Sequence, residues 1–500
     1  MIRAFYTGER WAFYIALASV LPIALVLSLP PRFSPDSYAY FLLGESIWAG
    51  NGYTTSALRD LYTGQLEGPW TSRSFPPAWP VLVGAATSVF GTGGAVWLAI
   101  LFLIGSVGTT LSICWHLTGK VAWSAILVTA LLYSQMPYLD EVAAARAIPA
   151  AWFFLQFGVL MVILAGGTNN AGVWAGAAFA VAGLARFDLV PVVLLLMGGL
   201  FLMSRSTLKL QKQWGAGATV FLAISGMWWI RNLLVFGSPL AADSSLSLWA
   251  LSTGIAQSTW PAGLTLAADP LTWAVNRMPA LHFGIVSWLN PNTGGLTILA
   301  MLALIAGWAR LSVNRKLLAS GLMLGAVGLV LLAGLAGYSS PRYAFIPAGL
   351  AMLAGGLAYT GIHDARLRVV LPLCAIAMLL ITVPSSVLRP GEYGTPSPAW
   401  QDAQRYSPGL VAETERFTRL MGRPPVIAAD HAESLSFTSG LVTVQLPVNM
   451  KGSPPSPEFL NQFKADLVVT KFPAKNPTCL IRRLPSSTYL LDSACLAIPL

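Results

Sequence analysis

The chain has 500 residues, of which 55% are hydrophobic and 10% charged. Soluble domains carry about 25% charged residues, so this composition excludes an ordinary soluble protein and reads as a polytopic membrane protein. The formal net charge is +10, but the basic residues fall in short loops between apolar runs, where they orient helices in a bilayer, and nucleic acid is excluded as a partner.

Arg3 and Arg10 precede an apolar run from Trp11 to about Pro30. That run is longer than the apolar region of a cleaved signal peptide, which predicts an uncleaved first span with its N-terminus inside. Apolar runs near 94–118, 121–137, 147–165, 172–185, 189–204, 214–235, 293–309, 317–337, 343–361 and 369–388 bring the count to about eleven spans. Several are shorter than the roughly 20 residues that cross a bilayer squarely. On this count the inner loops receive Lys120, then Arg205, Lys209 and Lys212, then Arg310, Arg315 and Lys316, then Arg366 and Arg368, as the positive-inside rule requires. The run from Pro76 to Gly91 would invert every later loop if it crossed the bilayer. It reads instead as a short helix at the outer face, with proline in its first turn.

Residues 1–390 thus form a membrane domain with outer loops at 31–93 and 237–292. Residues 391–500 form a small α/β domain outside the membrane. There Val426–Ala429, Val442–Leu446, Leu467–Thr470 and Tyr489–Leu491 predict strands, with a helix over Glu433–Ser439. Cys479 and Cys495 lie in this outer part and pair if it faces an oxidising compartment; two free thiols are the alternative. Cys114 and Cys374 read as small core residues. Gly172-x-x-x-Gly176 and Gly321-x-x-x-Gly325 have the spacing of close helix contacts.

The acids are sorted by face. Asp36, Glu45, Asp60, Glu67, Asp140, Glu141, Asp188, Asp243 and Asp269 fall at or beyond the outer face, while Glu9 and Asp364 fall at the inner one. Asp36 stands in Pro35-Asp36-Ser37-Tyr38, directly after the first span, where an ionised carboxylate costs free energy unless something uses it. It reads as a helix-start residue and as a general base tuned by partial burial; the gathering of acids favours the second role. Asp140 and Glu141 are adjacent and cannot face one way on a helix, so one is expected to point into the site. Its partner is a metal, an acceptor hydroxyl or an acceptor amine, while Arg146 offers a local ion pair instead.

Arg73, Arg146, Arg186, Arg231, Arg277 and Arg342 lie on the acidic face, against the charge rule. A guanidinium at the outer end of a span suits the phosphate of a lipid head group; snorkelling to ordinary head groups is the alternative. The chain has no nucleotide phosphate loop, dinucleotide fingerprint or His-Glu-x-x-His site. With four histidines, a histidine-rich metal site is not expected. No inner loop is long enough for a nucleotide-binding domain, so an activated donor has to come from the membrane or from outside.

Several short motifs follow one another in a telling order. Asp36-x-Tyr38 is followed by Gly50-Asn51-Gly52-Tyr53, and then by Pro76-Pro77 with a helix ending Phe90-Gly91. Next come Gly183-Leu184-Ala185-Arg186, then Trp229-Ile230-Arg231-Asn232 with Phe236-Gly237-Ser238-Pro239, then Pro341-Arg342-Tyr343 with Pro347. In this order, over about 1–390, they resemble the membrane glycosyltransferases of GT-C fold, in the branch that holds lipid A aminoarabinose transferases and protein O-mannosyltransferases. The resemblance implies inverting transfer of a sugar from a polyprenyl-phosphate donor to a hydroxyl or amine of a lipid, glycan or protein acceptor. It implies a multi-pass protein of the cytoplasmic membrane with its active site on the outer side. Asp36 would be the catalytic base and Asp140 or Glu141 the second acid. Arg342, Arg231 and Arg73 would bind the donor phosphate, with Tyr38, Tyr343 and Arg186 beside the substrates. No cofactor is required, and a divalent cation is compatible but not indicated. Ser74-Phe75 stand where aminoarabinose transferases carry an acidic-basic pair, which leaves sugar and acceptor open. Two rivals make different demands. A transporter or lipid flippase predicts ionisable residues near mid-membrane. A non-catalytic scaffold with an outer binding domain leaves the acids and arginines without a role.

Overall fold

The computed structural model describes residues 2–29, 33–58, 70–72, 75–119, 121, 123–164, 170–203, 208–236, 295–335, 341–359, 398–429, 432–445, 460, 465–470, 477–484 and 488–496, with parts of 278–289 and 361–377. The first span is α1 (Ile2–Ser28). The chain then enters α2 (Pro35–Trp48) through a capping box: the Ser34 hydroxyl accepts from the Ser37 amide at 3.3 Å, and the Ser37 hydroxyl accepts from the Ser34 amide at 3.0 Å. The first outer loop also contributes β1 (Thr54–Thr55), β2 (Ala57–Leu58) and β3 (Trp70–Thr71).

α3 (Ala78–Thr118) is broken at Gly91, whose φ of 65° and ψ of −169° suit glycine and few other residues. The Pro76–Gly91 run is therefore a helix in its own right ahead of the span, as its sequence indicates. α4 (Trp123–Tyr133), α5 (Met136–Ala143) and α6 (Ile148–Leu164) follow, and α5 turns from α6 by 112°. Then come α7 (Ala171–Ala185), α8 (Val190–Met203), α9 (Leu208–Phe236), α10 (Gly295–Gly307), α11 (Val313–Leu335) and α12 (Phe345–Tyr359). Each apolar run from 94–118 to 343–361 carries one of these helices; most of the run at 369–388 lies outside the described residues.

Among the described residues four helices are long and apolar enough to cross a bilayer, a fifth if the bent α5–α6 pair counts as one span, and shorter apolar helices accompany them. Val20, Trp97, Leu234 and Ile305 stand more than half exposed on the outside of the helices, where only lipid makes such surface stable. This is a multi-pass membrane protein.

The Gly172–Gly176 spacing does what it predicts. A methyl group on Gly176 of α7 would lie 2.0 Å from the Gly217 carbonyl oxygen of α9, and one on Gly172 would lie 2.2 Å from that of Gln213. The space at Gly325 of α11 is filled instead by a side chain, Val192 of α8 at 2.8 Å, and Gly321 is in ordinary contact with Leu196 at 3.4 Å. Gly176→Ala is expected to lower the thermal midpoint of the detergent-solubilised protein, because the backbones have to part, at about 1–3 kcal/mol. Gly226→Ala, on an α9 face with nothing within 4 Å, should leave the midpoint unchanged or raise it slightly.

The C-terminal part holds α13 (Pro398–Met421), β4 (Ile427–Ala429), α14 (Ala432–Ser439), β5 (Thr443–Gln445), β6 (Leu467–Thr470), β7 (Leu480–Leu484), β8 (Thr488–Asp492) and α15 (Ser493–Leu496). The four strands and the helix expected from sequence are present. The sheet runs β2-β5-β4-β6-β8-β7, parallel through β6 and antiparallel beyond. Four elements were not legible: α13, the exposed edge strand β7 with Arg482 and Arg483, the short α15, and β2. β2 comes from the first outer loop and pairs with β5 through Ala57 opposite Thr443 and Leu58 opposite Val444. The sheet thus joins segments on both sides of residue 390. Cys479 and Cys495 form a disulfide that ties the turn before β7 to α15.

Candidate active site

The capping box at Ser34 sets Asp36 in the first turn of α2, where the helix dipole favours a carboxylate. Asp36 is half-buried, between solvent and the helix packing. The same box is tied to the turn between α5 and α6. The Ser37 hydroxyl donates to the Ala144 carbonyl at 2.6 Å, and Arg146 Nε donates to the Ser34 hydroxyl at 2.9 Å. Trp79, at the start of α3, donates through its indole N–H to the Ala145 carbonyl at 2.9 Å. Ala145 itself has a φ of 51°. The α5–α6 turn is therefore bent through left-handed backbone and held from two sides, which is how it presents its carbonyls to α2 and α3.

Arg146 is the hub. Its guanidinium donates to Glu141 Oε1 at 2.5 Å and to Asp140 Oδ2 at 3.4 Å. The Glu141 side chain is 2% exposed and that of Asp140 21%. The local ion pair is thus real, and it involves both acids. Of the two, Asp140 reaches solvent, while Glu141 is held inside.

Arg186, in the turn between α7 and α8, makes a two-pronged pair with Asp188 at 3.0 and 2.6 Å. It lies within electrostatic reach of Glu141, and its guanidinium is 5.5 Å from the centre of the Tyr343 ring. Tyr343 belongs to a 3-10 turn, Pro341–Ala344, that leads into α12. Tyr138 of α5 stacks on Phe345 of α12 at 4.3 Å. A continuous set of contacts therefore runs from α2 through α5 and the α5–α6 turn to the start of α12. It brings together Asp36, Asp140, Glu141, Arg146, Arg186 and Tyr343, residues spread over about 300 positions of sequence. Among the described residues no three of His, Cys, Asp and Glu gather closely enough to hold a metal ion.

Two of the expected site residues are placed elsewhere. Arg231 sits in a second cluster: it donates to the Ser72 carbonyl at 3.0 Å and to Asn232 Oδ1 at 2.8 Å, with its guanidinium 4.5 Å from the Trp228 ring, 5.0 Å from Phe236 and 5.4 Å from Tyr53. Tyr53 donates to the Phe75 carbonyl at 2.8 Å, and Phe75 packs on Tyr40 of α2 at 4.9 Å. Arg231 therefore pins the first outer loop to the end of α9. Tyr38 is 1% exposed and packs on Phe33, Phe41 and Phe437; burial pushes its phenol well above the usual tyrosine range. In this arrangement its ring is packing material and does not line an open surface, because α2 turns that face toward α14. Arg73 lies outside the described residues, as does the side chain of Arg342, although its backbone shares the 3-10 turn with Tyr343.

Sequence reasoning missed Ser34 and Phe437, and it read Trp79 as one of the interfacial or sugar-stacking rings rather than as a buried donor to Ala145. Ser34 had a local signal, the Ser-x-x-Ser spacing around Pro35-Asp36. Trp79 and Phe437 had none, since their partners are 66 and about 400 residues away.

No protein-family model and no curated protein matches the chain. The structure is similar to that of the Archaeoglobus fulgidus oligosaccharyltransferase AglB in complex with an inhibitory peptide and a dolichol-phosphate. The TM-score is 0.58 at 12% identity, over 93% of this chain and 69% of that one. The same oligosaccharyltransferase tethered to an acceptor peptide with the NVT sequon gives a TM-score of 0.58 at 12% identity, over 93% and 70%. The chain has the GT-C fold. ArnT from Cupriavidus metallidurans in the apo state aligns over 99% of this chain and all of that one, at 15% identity with a TM-score of 0.42. At such identities likeness extends to the fold and not to the chemistry. The paired acids, Arg146 and Arg186 lie where the start of α2, the α5–α6 turn and the α7–α8 turn come together.

Proposed function

We propose that this GT-C protein is a membrane glycosyltransferase that moves a sugar from a polyprenyl-phosphate donor to a hydroxyl or amine of a lipid, glycan or protein acceptor. Asp36 takes the proton from the acceptor as its oxygen or nitrogen attacks the anomeric carbon. The bond from that carbon to the phosphate oxygen breaks, and the configuration inverts in this single displacement. Arginine neutralises the charge growing on the departing phosphate, a role we give to Arg342 first and then to Arg73, since Arg231 is engaged by the Ser72 carbonyl and the rings of Tyr53, Trp228 and Phe236. Asp140 is the second acid, facing the acceptor side, with Tyr343 and Arg186 beside the substrates. Glu141 holds Arg146 in place. The reaction is placed at the outer face of the cytoplasmic membrane, with the N-terminus inside, and the disulfide in the C-terminal part supports an oxidising compartment there.

The observation that carries this reading is the Ser34–Arg146–Glu141 link. It locks the helix start bearing Asp36 to the acids of α5, on a fold whose similar structure is of a complex with a dolichol-phosphate. A transporter has no need for acids gathered at one face. The test is to extract lipid from purified wild type and Asp36→Asn and analyse it by mass spectrometry. The expected result is a polyprenyl phosphate or its glycoside in both, with the sugar-loaded form enriched in Asp36→Asn. Ordinary phospholipids alone in both samples would overturn the proposal.

A further inference from the structure

We infer that the C-terminal domain is a clamp on α2, with Phe437 and Ser436 as positioning residues for Asp36; the inference rests on the reading of Asp36 as the base. Three contacts from the C-terminal part converge on the first outer loop. The Phe437 ring of α14 lies 5.3 Å from that of Tyr38 and 5.4 Å from that of Phe41, one and four residues after Asp36's neighbour Ser37. The Ser436 hydroxyl meets that of Ser56 at 2.7 Å. β2 completes the sheet edge at β5, and the Thr443 amide donates to the Ser56 carbonyl at 3.0 Å.

Phe437 does not belong to the two apolar layers of its own domain. Those are built around Ala428, Val444, Val468 and Leu491 on one side of the sheet and Ile427, Leu435, Leu467 and Leu490 on the other. It packs instead against the core of the membrane domain. A side chain that leaves its own core to fill a neighbour's works between the two. The start of α2 is held by the Ser34 box and Arg146 and its end by α3, through Gly44 against Gly84 and the Trp48 indole on the Val81 carbonyl; Phe437 covers the face between, at Tyr38 and Phe41. Removing the ring opens space beside Tyr38, two residues after Asp36, so the first turn of α2 settles toward the gap and carries Asp36 off line. Misplacing a catalytic group by about 1 Å costs on the order of 100-fold in rate.

The test compares full-length wild type, Phe437→Ala and Asp36→Asn in detergent, by hydrogen exchange and by the sugar loading of co-purified lipid. In Phe437→Ala the amides of 35–48 should exchange about tenfold faster, the scale of two lost aromatic pairs, with β4 and β6 unchanged. Its lipid should be enriched in the sugar-loaded form, as in Asp36→Asn. Unchanged exchange over 35–48 would overturn the clamp, and so would wild-type sugar loading in Phe437→Ala beside enrichment in Asp36→Asn. If Asp36→Asn itself holds no glycosylated lipid, the proposed function fails, while faster exchange of α2 still supports the clamp. Should Phe437→Ala loosen β4 and β6 as well, Ser56→Cys/Ser436→Cys decides. A new disulfide with slower exchange of 35–48 supports the inference, and a disulfide that leaves that exchange unchanged overturns it.

Discussion

Asp36→Asn should lower single-turnover decay of the bound glycolipid by about 100- to 10,000-fold, the range a positioned general base contributes, while the protein keeps its fold and its lipid. Asparagine has the shape of aspartate and sits well in a first helical turn, and the capping box uses Ser34 and Ser37 rather than Asp36. The helix start therefore survives, while proton acceptance is lost. Asp36→Glu keeps the carboxylate but moves it by one methylene, so an intermediate loss is expected. An unchanged rate in Asp36→Asn would remove Asp36 from the chemistry and leave it as a helix-start residue.

The largest stability effect is expected at Arg146. Arg146→Met leaves the Glu141 carboxylate, 2% exposed, without its cation, and removing one partner of a buried pair costs about 3–5 kcal/mol. Arg186 remains within electrostatic reach of Glu141, which places the expected loss toward the lower end. The substitution also cuts the bond to Ser34, so the start of α2 should loosen. Arg146→Met/Glu141→Leu removes both charges and should recover much of the unfolding midpoint in detergent. It should not recover turnover, because the Ser34 tether is still missing. A double variant less stable than Arg146→Met would show that Glu141 stabilises the fold independently of Arg146. Arg146→Lys keeps the charge without the planar fork that spans two acids and a hydroxyl, and should fall between.

Much of this protein is written locally and was legible. Apolar runs gave the spans, because a helix in lipid satisfies its own backbone and only its side chains have to be apolar. The short helix before Gly91 followed from charge bookkeeping across the later loops. The strands at Ile427–Ala429 and Leu467–Thr470 showed as compact β-branched and apolar runs. That the start of α2 and the Asp140-Glu141 pair come near each other was expected from the order of the spans.

Other features depend on partners far along the chain, and those only the tertiary structure decided. That Arg146 bridges both acids and Ser34 depends on the turn at Ala145, whose left-handed backbone no residue type announces. Whether Arg231 meets a substrate phosphate or a ring of Tyr53, Trp228 and Phe236 depends on where the first outer loop lies. Tyr38 reads as a site residue from its place beside Asp36, yet α2 turns that face toward Phe437. β2 has two residues in its strand, too few to carry a period, and it is a strand only because β5 offers an unpaired edge. Sequence by itself determined which segments form apolar helices and which acids lie between them, since hydropathy and charge act over one span at a time. Which acid is buried, which arginine holds it and what covers α2 were decided by packing among residues tens to hundreds apart, where the energy belongs to pairs that no single segment contains.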